Sequence, residues 1–111
     1  MGLKPVEFLG RTKKSIKEFP AEARRRLGAE LLRLQEGKQP ADSRPMPTVG
    51  LGVYEIRIHS AGEYRAIYIA AFKEAIYVLT AFEKKSQHTA TRFIVQARTH
   101  YVEIRERRKR Q

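Results

Sequence analysis

Three consecutive segments in the second half of the chain carry the hydrophobic pattern of β-strands. Residues 53–60, VYEIRIHS, alternate apolar and polar side chains, which is the pattern of a strand with one buried face. Residues 63–71, EYRAIYIAA, are rich in aromatic and β-branched side chains. Residues 75–83, AIYVLTAFE, are almost continuously apolar, as in a central strand buried on both faces. Because only short turns separate the three segments, they predict an antiparallel meander.

The first part of the chain predicts a short strand and two helices. Residues 4–9, KPVEFL, have the pattern of a short strand that ends at Gly10, and residues 11–19 form a short helical stretch. A second helix is expected to start near Pro20, because a proline in the first turn loses no hydrogen bond there. Gly37 is predicted to end this helix. Its apolar stripe at helical spacing consists of Ala23, Leu27, Leu31 and Leu34.

The remaining segments predict a long loop and a final helix. Residues 38–52 contain three prolines and two glycines, which is typical of a loop. The final helix starts near Thr89 or Thr91, either of which is a suitable N-cap. Its apolar stripe consists of Ala90, Phe93, Ala97, Tyr101 and Ile104.

This order of elements predicts an α+β fold. We expect a small antiparallel sheet with mixed pairing at one edge, an N-terminal helical pair on one face and a C-terminal helix. The second sheet face is expected to stay available for function.

Length and composition exclude several classes of protein. A chain of 111 residues with 41% hydrophobic residues fits a single folded domain, residues 1–111. The chain has no cysteine, so disulfide scaffolds and Cys-ligated zinc or iron–sulfur sites are excluded. The three histidines are scattered, and we expect neither a metal nor another cofactor. No apolar run approaches the ~20 residues of a membrane helix, and no signal-peptide core is present. These features predict a cytoplasmic protein without a membrane partner.

The charge of the chain indicates a polyanionic partner. Lys and Arg number 23 against 12 Asp and Glu, which gives a net charge of +11. Residues 105–111, RERRKRQ, form a basic tail of net charge +4, either ordered or flexible, so +7 remains on the other residues. A compact basic domain is the electrostatic pattern of a nucleic-acid binder. A merely solvated surface or an acidic protein partner would also account for it.

Four cations are expected to meet on the open sheet face. Arg57 lies on the polar side of its strand, Arg65 lies near the start of the next, and Lys84-Lys85 follow the third. Fixed cations bind a phosphodiester and stabilise the charge of its pentavalent transition state. RNA supplies its own nucleophile, the 2′-hydroxyl, so the protein need only position it and move protons.

Arg65 conflicts with this arrangement. Strict alternation places it on the same face as Ile67 and Ile69. If those two residues are core, Arg65 must lie at the sheet edge or be turned outward by a bulge. Solvated arginines and turn lysines are the more ordinary interpretation of all four cations.

Aromatic and histidine side chains near these cations are further candidates. Tyr64, Tyr68 and Phe82 could stack on unpaired RNA bases, although such residues more often pack within a sheet. His59 shares the face of Arg57, and His88 follows the lysine pair, so either could transfer a proton.

The spacing of these segments resembles that of the RelE/ParE superfamily, in particular its phage-derived, HigB-like branch of toxins. The shared landmarks are YEIR at 54–57, YRA at 64–66 followed by Tyr68, YVL at 77–79, and AF at 81–82 running into Lys84-Lys85. FPAE at 19–22 and the helix to Gly37 extend the resemblance over nearly the whole chain.

The resemblance implies the toxin of a type II toxin–antitoxin module. Such proteins cleave mRNA, typically on the ribosome and without a metal, to a 2′,3′-cyclic phosphate and a 5′-hydroxyl. By position, Arg57 and Arg65 would bind the scissile phosphate, and Lys84 or Lys85 would bind it or accept a proton. His88 could replace a missing base. The implied partner is an antitoxin with a helix-turn-helix domain.

Two other functions remain open. A ParE-like protein would inhibit DNA gyrase and cleave no RNA, although the group of four cations argues against this function. A non-catalytic module would bind RNA or the ribosome and leave RNA ends unchanged.

Overall fold

A five-stranded mixed sheet forms the centre of the molecule. The structure is a computed structural model that describes residues 2–111. The strands are β1 (Val6–Phe8), β2 (Ser43–Pro45), β3 (Val53–His59), β4 (Glu63–Ile69) and β5 (Ile76–Glu83), and the helices are α1 (Thr12–Lys17), α2 (Ala21–Gln35) and α3 (Thr91–Lys109). The strand order is β1-β5-β4-β3-β2. The predicted meander of β3, β4 and β5 is antiparallel, and β1 pairs with β5 in parallel, so the predicted α+β class with a mixed edge is confirmed.

Helices α1 and α2 cover the first face of the sheet, the side to which Ile56 and Tyr64 point. The predicted stripe of α2 is buried there, and Leu27 at its centre is 1% exposed. Pro20 lies at the N-cap of α2 rather than within its first turn. Gly37 ends the helix as predicted, with a φ of 82° that favours glycine.

Helix α3 covers part of the second face, which the sequence analysis had left open. Ala97 and Ile104 of α3 are fully buried against a cluster that includes Leu79 of β5. This result is consistent with the continuous apolar run of β5, because a strand buried on both faces needs a layer on each side. The polar side chains of β3, among them Glu55 and Arg57, lie on the part of the second face that is farther from β5.

The segment predicted as a long loop is partly ordered by the sheet. Ser43–Pro45 form β2, which pairs antiparallel with β3, and the side chains of Met46 and Val49 are buried in the core of the second face. The prediction of a loop was wrong for residues 43–45, because three residues that include a proline carry no detectable strand periodicity. Pairing with β3 nevertheless satisfies backbone groups along that strand.

The two ends of α3 also differ from expectation. Its N-cap is Ala90, which forms no side-chain cap, so neither Thr89 nor Thr91 caps the helix. The basic end is helical up to Lys109 rather than a loose tail. Within residues 2–111, no helix is both long and apolar enough to cross a membrane.

Two arginines anchor the C-terminal end of α3. Arg107 Nη1 lies 2.7 Å from Glu7 Oε2 of β1. Arg108 Nε lies 2.8 Å from Glu74 Oε2, and its guanidinium carbon lies 3.9 Å from the ring centroid of Phe72. The hydrogen bond from Arg108 is the main reason that the pKa of Glu74 falls to about 2. These contacts are the physical reason that the segment after residue 104 is not a flexible tail.

Two glycines are expected to respond to alanine in opposite directions. A Cβ at Gly28 of α2 would have no other atom within 4 Å, whereas a Cβ at Gly50 would overlap the Tyr101 ring. We expect Gly28→Ala to raise the free energy of unfolding by about 0.5–1 kcal/mol, because alanine is the better helix former. We expect Gly50→Ala to lower it by about 1–3 kcal/mol. Urea unfolding measures both values, and a Gly50→Ala variant as stable as the parent would contradict this packing.

Candidate active site

Arg57 and Arg65 lie directly opposite each other on neighbouring strands. They are Cα partners in the β3–β4 pair, and Arg65 is in turn the partner of Phe82 on β5. Because directly opposed residues point to the same side of a sheet, with Cβ atoms about 4.5–5.5 Å apart, both arginines lie on the second face. The sheet register therefore places the two candidate arginines side by side.

The lysine pair lies at the end of the same face. The backbone N–H of Lys84 donates a 2.7 Å hydrogen bond to the carbonyl of Glu63, which fixes the chain after β5 beside the start of β4. A hollow of about 420 Å³ results, which we call the lysine hollow. Its lining residues are Glu63, Arg65, Lys84, Lys85, Ser86 and Gln87. Lys84, Lys85 and Arg65 therefore share one concave surface, with Arg57 adjacent to Arg65.

Arg65 is a buried structural cation rather than an exposed one. Its side chain is only 3% exposed. Nη1 donates to the Tyr64 carbonyl at 3.0 Å, and Nη2 donates to Glu63 Oε1 at 3.1 Å. The β4–β5 irregularity lies farther along, between Ile67 and Tyr68. Arg65 therefore obeys strict alternation, and the expectation that it sits at an edge or on a bulge was wrong because carboxylates compensate its burial.

Glu55 is a central residue of the site that the sequence analysis did not identify. Its side chain is fully buried, and Oε1 lies 3.5 Å from Arg44 Nε and 3.8 Å from Arg65 Nε. Among residues 2–111, neither carboxylate oxygen has a hydrogen-bond partner. The available signal was a glutamate on the same face as Arg57 in a strand that packs against the core. Its partner Arg44 lies in the segment that had been predicted as a loop.

His59 is held between two carboxylates. Nδ1 lies 2.8 Å from Glu63 Oε1, and Nε2 lies 2.9 Å from Asp42 Oδ2. The hydrogen bond with Glu63, followed by the one with Asp42, raises the pKa of His59. The hydrogen bond with His59 in turn lowers the pKa of Glu63. The two carboxylates therefore stabilise the protonated imidazole.

These contacts form a continuous series of alternating charges across β2, β3 and β4, which we call the charge chain. Its members, in order, are Asp42, His59, Glu63, Arg65, Glu55 and Arg44. With His59 protonated, the chain contains three cations and three anions. It holds the three strands together without contributing net charge.

Arg57 and the two lysines lie outside the charge chain. Among residues 2–111, none of the three forms an ion pair. Arg57 is half-buried, its Nε has no hydrogen-bond partner within the described chain, and its backbone N–H donates to the Asp42 carbonyl at 2.9 Å. Lys84 is half-buried and Lys85 is exposed. The charges of these three cations are therefore not compensated by a carboxylate within the described chain.

His88 is exposed on the segment between β5 and α3. It lines a hollow of about 140 Å³ together with Lys84 and Lys85. It also lines a separate cleft of about 480 Å³ together with Arg44. Of the two candidate histidines, His88 is the one that shares a surface with the unpaired lysines.

The three aromatic candidates do not present ring faces to this surface. Tyr64 and Tyr68 point to the first face and are 4% and 2% exposed, because they alternate with Arg65 along β4. Burial raises the pKa of Tyr68. Phe82 is on the second face, but it is buried and stacks on Phe93 with ring centroids 4.2 Å apart. All three rings are therefore buried, although Tyr64 and Phe82 line hollows that Lys85 also lines.

The arrangement is suited to a phosphodiester. Cations fixed by a rigid sheet attract phosphate and stabilise the charge that develops on its oxygens during displacement. In the part of the chain that the structure describes, no three His, Asp or Glu side chains come together as metal ligands.

Comparisons with known proteins agree with the fold. The family model described as "Phage derived protein Gp49-like (DUF891)" matches residues 14–102. The chain is similar in structure to the E. coli toxin RelE in the free state, in a variant with two arginines replaced by alanine. The TM-score is 0.67, the sequence identity is 16%, and the match covers 90% of this chain and 98% of the RelE chain. No curated protein sequence matches significantly.

The charge chain predicts a stability contribution that disappears at high pH. The pKa of His59 is raised in the folded state. The contribution of His59 to the free energy of unfolding is therefore fully present below its unfolded-state pKa of about 6.5. That contribution is lost as the pH rises through the folded-state pKa. We therefore expect His59→Gln to lower the free energy of unfolding clearly at pH 5.5 and much less at pH 8.5. His88→Gln is the matched control. A loss that is the same at both pH values would contradict the assignment.

Proposed function

Because the chain belongs to the phage-derived Gp49-like family and has a RelE-like fold, we propose that it is the toxin of a type II toxin–antitoxin module. In this proposal it is a HigB-like endoribonuclease that cleaves mRNA on the ribosome, in the cytoplasm. Cleavage proceeds by attack of the RNA 2′-hydroxyl and requires no metal. Its partner is an antitoxin with a helix-turn-helix domain.

The observation that supports this proposal most directly is the group of unpaired cations on the second face. Arg57 lies beside Arg65, and Arg65 shares the lysine hollow with Lys84 and Lys85. Arg57 and one lysine bind the non-bridging oxygens of the scissile phosphate. Their charge favours the transition state over the substrate, because the phosphoryl oxygens gain negative charge during attack.

Arg65 has a different role from the one that the resemblance implied. Its guanidinium is buried and held by Glu63 and the Tyr64 carbonyl. We therefore assign it the role of a positioning residue, which keeps Glu63 and β4 in place beside the lysines. Arg57 is the arginine that contacts the phosphate.

Proton transfer is assigned to His88 and to one of the lysines. His88 accepts the proton of the 2′-hydroxyl as the 2′-oxygen forms its bond to phosphorus. The bond from phosphorus to the 5′-oxygen breaks, and Lys84 or Lys85 gives that oxygen a proton. The products are a 2′,3′-cyclic phosphate and a 5′-hydroxyl. His59 does not serve as the base, because two carboxylates favour its protonated form.

The test is the mapping of RNA ends after brief expression in bacteria. The parent chain should arrest growth and generate new 5′-hydroxyl ends, whereas Arg57→Ala should lower the cleavage rate by roughly 100-fold or more. Arg110→Ala is the matched control, since it removes one exposed arginine at the far end of α3. Both variants should retain the parent's thermal unfolding transition.

Other outcomes would identify the competing functions. Growth arrest with intact transcripts and with inhibited DNA supercoiling in vitro would establish a gyrase inhibitor. Salt-sensitive RNA binding with unchanged RNA ends would establish a non-catalytic module. Either result would overturn the proposed nuclease.

A further inference from the structure

We propose that the cleft between Arg44 and His88 binds the nucleotide of an RNA strand adjacent to the linkage that is cut. We call this space the Arg44 cleft. The inference rests on the proposed function, which it deepens by stating where the substrate continues beyond the lysine hollow.

The chemistry of the Arg44 cleft suits a nucleotide. The cleft has a volume of about 480 Å³. Its apolar walls include Met46 and Ile94, and its polar groups include Thr48 and Gln87. Small-molecule sites combine an apolar lining with a few polar groups that fix orientation. The faces of a base fit the apolar walls, whereas its edge can bond with the amide and the hydroxyl.

The Arg44 cleft is continuous with the proposed catalytic surface. Gln87 lines both this cleft and the lysine hollow. His88 lines both this cleft and the smaller hollow that contains Lys84 and Lys85. An RNA strand bound at the lysines can therefore extend past His88 into the cleft without crossing another part of the protein.

The Arg44 guanidinium lines the Arg44 cleft and is oriented so that it can bind a phosphate of the RNA strand. It is the Cα partner of Glu55 in the β2–β3 pair, and its Nε lies 3.5 Å from the buried Glu55 carboxylate. Its side chain remains 51% exposed. The Glu55 carboxylate also pairs with Arg65. Glu55 therefore orients Arg44 without fully compensating the charge of the Arg44 guanidinium. A guanidinium fixed in this way loses little freedom when it binds a second anion.

The test uses RNA that cannot be cut. Fluorescent 2′-O-methyl oligonucleotides of two and six residues lack the nucleophilic hydroxyl, and fluorescence anisotropy gives their dissociation constants over a range of salt concentrations. Arg44→Ala removes the cation, and Thr48→Trp fills the cleft while it leaves the Arg44–Glu55 pair intact. Arg33→Ala, an exposed arginine of α2 over the first face, is the matched control for charge.

The parent chain should bind the six-residue strand more tightly than the two-residue strand. Arg44→Ala should weaken binding of the longer strand by about tenfold. It should also reduce the slope of log K against log salt by about 0.7, the value for one phosphate of a single strand. Thr48→Trp should remove most of the difference in affinity between the six-residue and the two-residue strand. Binding of the two-residue strand should change little in either variant, and Arg33→Ala should resemble the parent.

Two results would overturn the inference alone. One is an unchanged length dependence in Thr48→Trp, which would show that the cleft is not occupied even if Arg44→Ala weakens binding. The other is an Arg44→Ala slope equal to that of the parent. A parent chain that binds neither oligonucleotide would instead overturn the proposed function together with this inference. Thermal unfolding of each variant checks that it is folded.

Discussion

The buried carboxylate of Glu55 is the interaction on which the second face of the sheet depends. The β3–β4 register places Arg57 directly opposite Arg65, and like charges in that position destabilise a sheet. Arg65 is also almost completely buried, which is costly for an uncompensated cation. Glu55 from one side and Glu63 from the other supply the opposing charges. Loss of Glu55 would leave Arg65 with Glu63 as its remaining carboxylate partner among residues 2–111, and breaking a buried pair by removing one partner is strongly destabilising.

This compensation divides the cations of the site into two groups. Arg65 and His59 are bonded to carboxylates and join the strands, whereas Arg57 and the lysines after β5 have no ion pair within residues 2–111. Arg44 is intermediate between the two groups, because it pairs with the buried Glu55 and is nevertheless 51% exposed. The arginine pair of the sequence pattern thus contains one residue that is bonded to carboxylates and one that has no ion pair within residues 2–111.

Periodicity predicted the elements and the face of each strand residue, but not what covers that face. The alternation of β3 correctly predicted that Arg57 and Ile56 point to different faces of the sheet. The apolar stripe of α2 is buried as predicted. Membership of a phage-derived protein family and a RelE-like fold are both confirmed. Arg44 and Glu55 were missed because their pairing depends on β2, a strand too short to have a period. The packing of Tyr64 within the sheet agrees with its more ordinary interpretation, whereas the burial of Arg65 was missed because it depends on the carboxylates of Glu55 and Glu63.

Helix α3 fixes the segment that carries the candidate proton carriers. That segment, residues 84–90, connects a strand buried on both faces to a helix that is buried along one side. At its far end the helix is tied to β1 through Arg107 and Glu7, and to the chain before β5 through Arg108 and Glu74. A short connection between two anchored elements has few alternative paths, so its lysines and His88 lose little conformational entropy on binding. The contacts of the basic C-terminal end therefore hold the helix that follows this segment, although they lie at its opposite end.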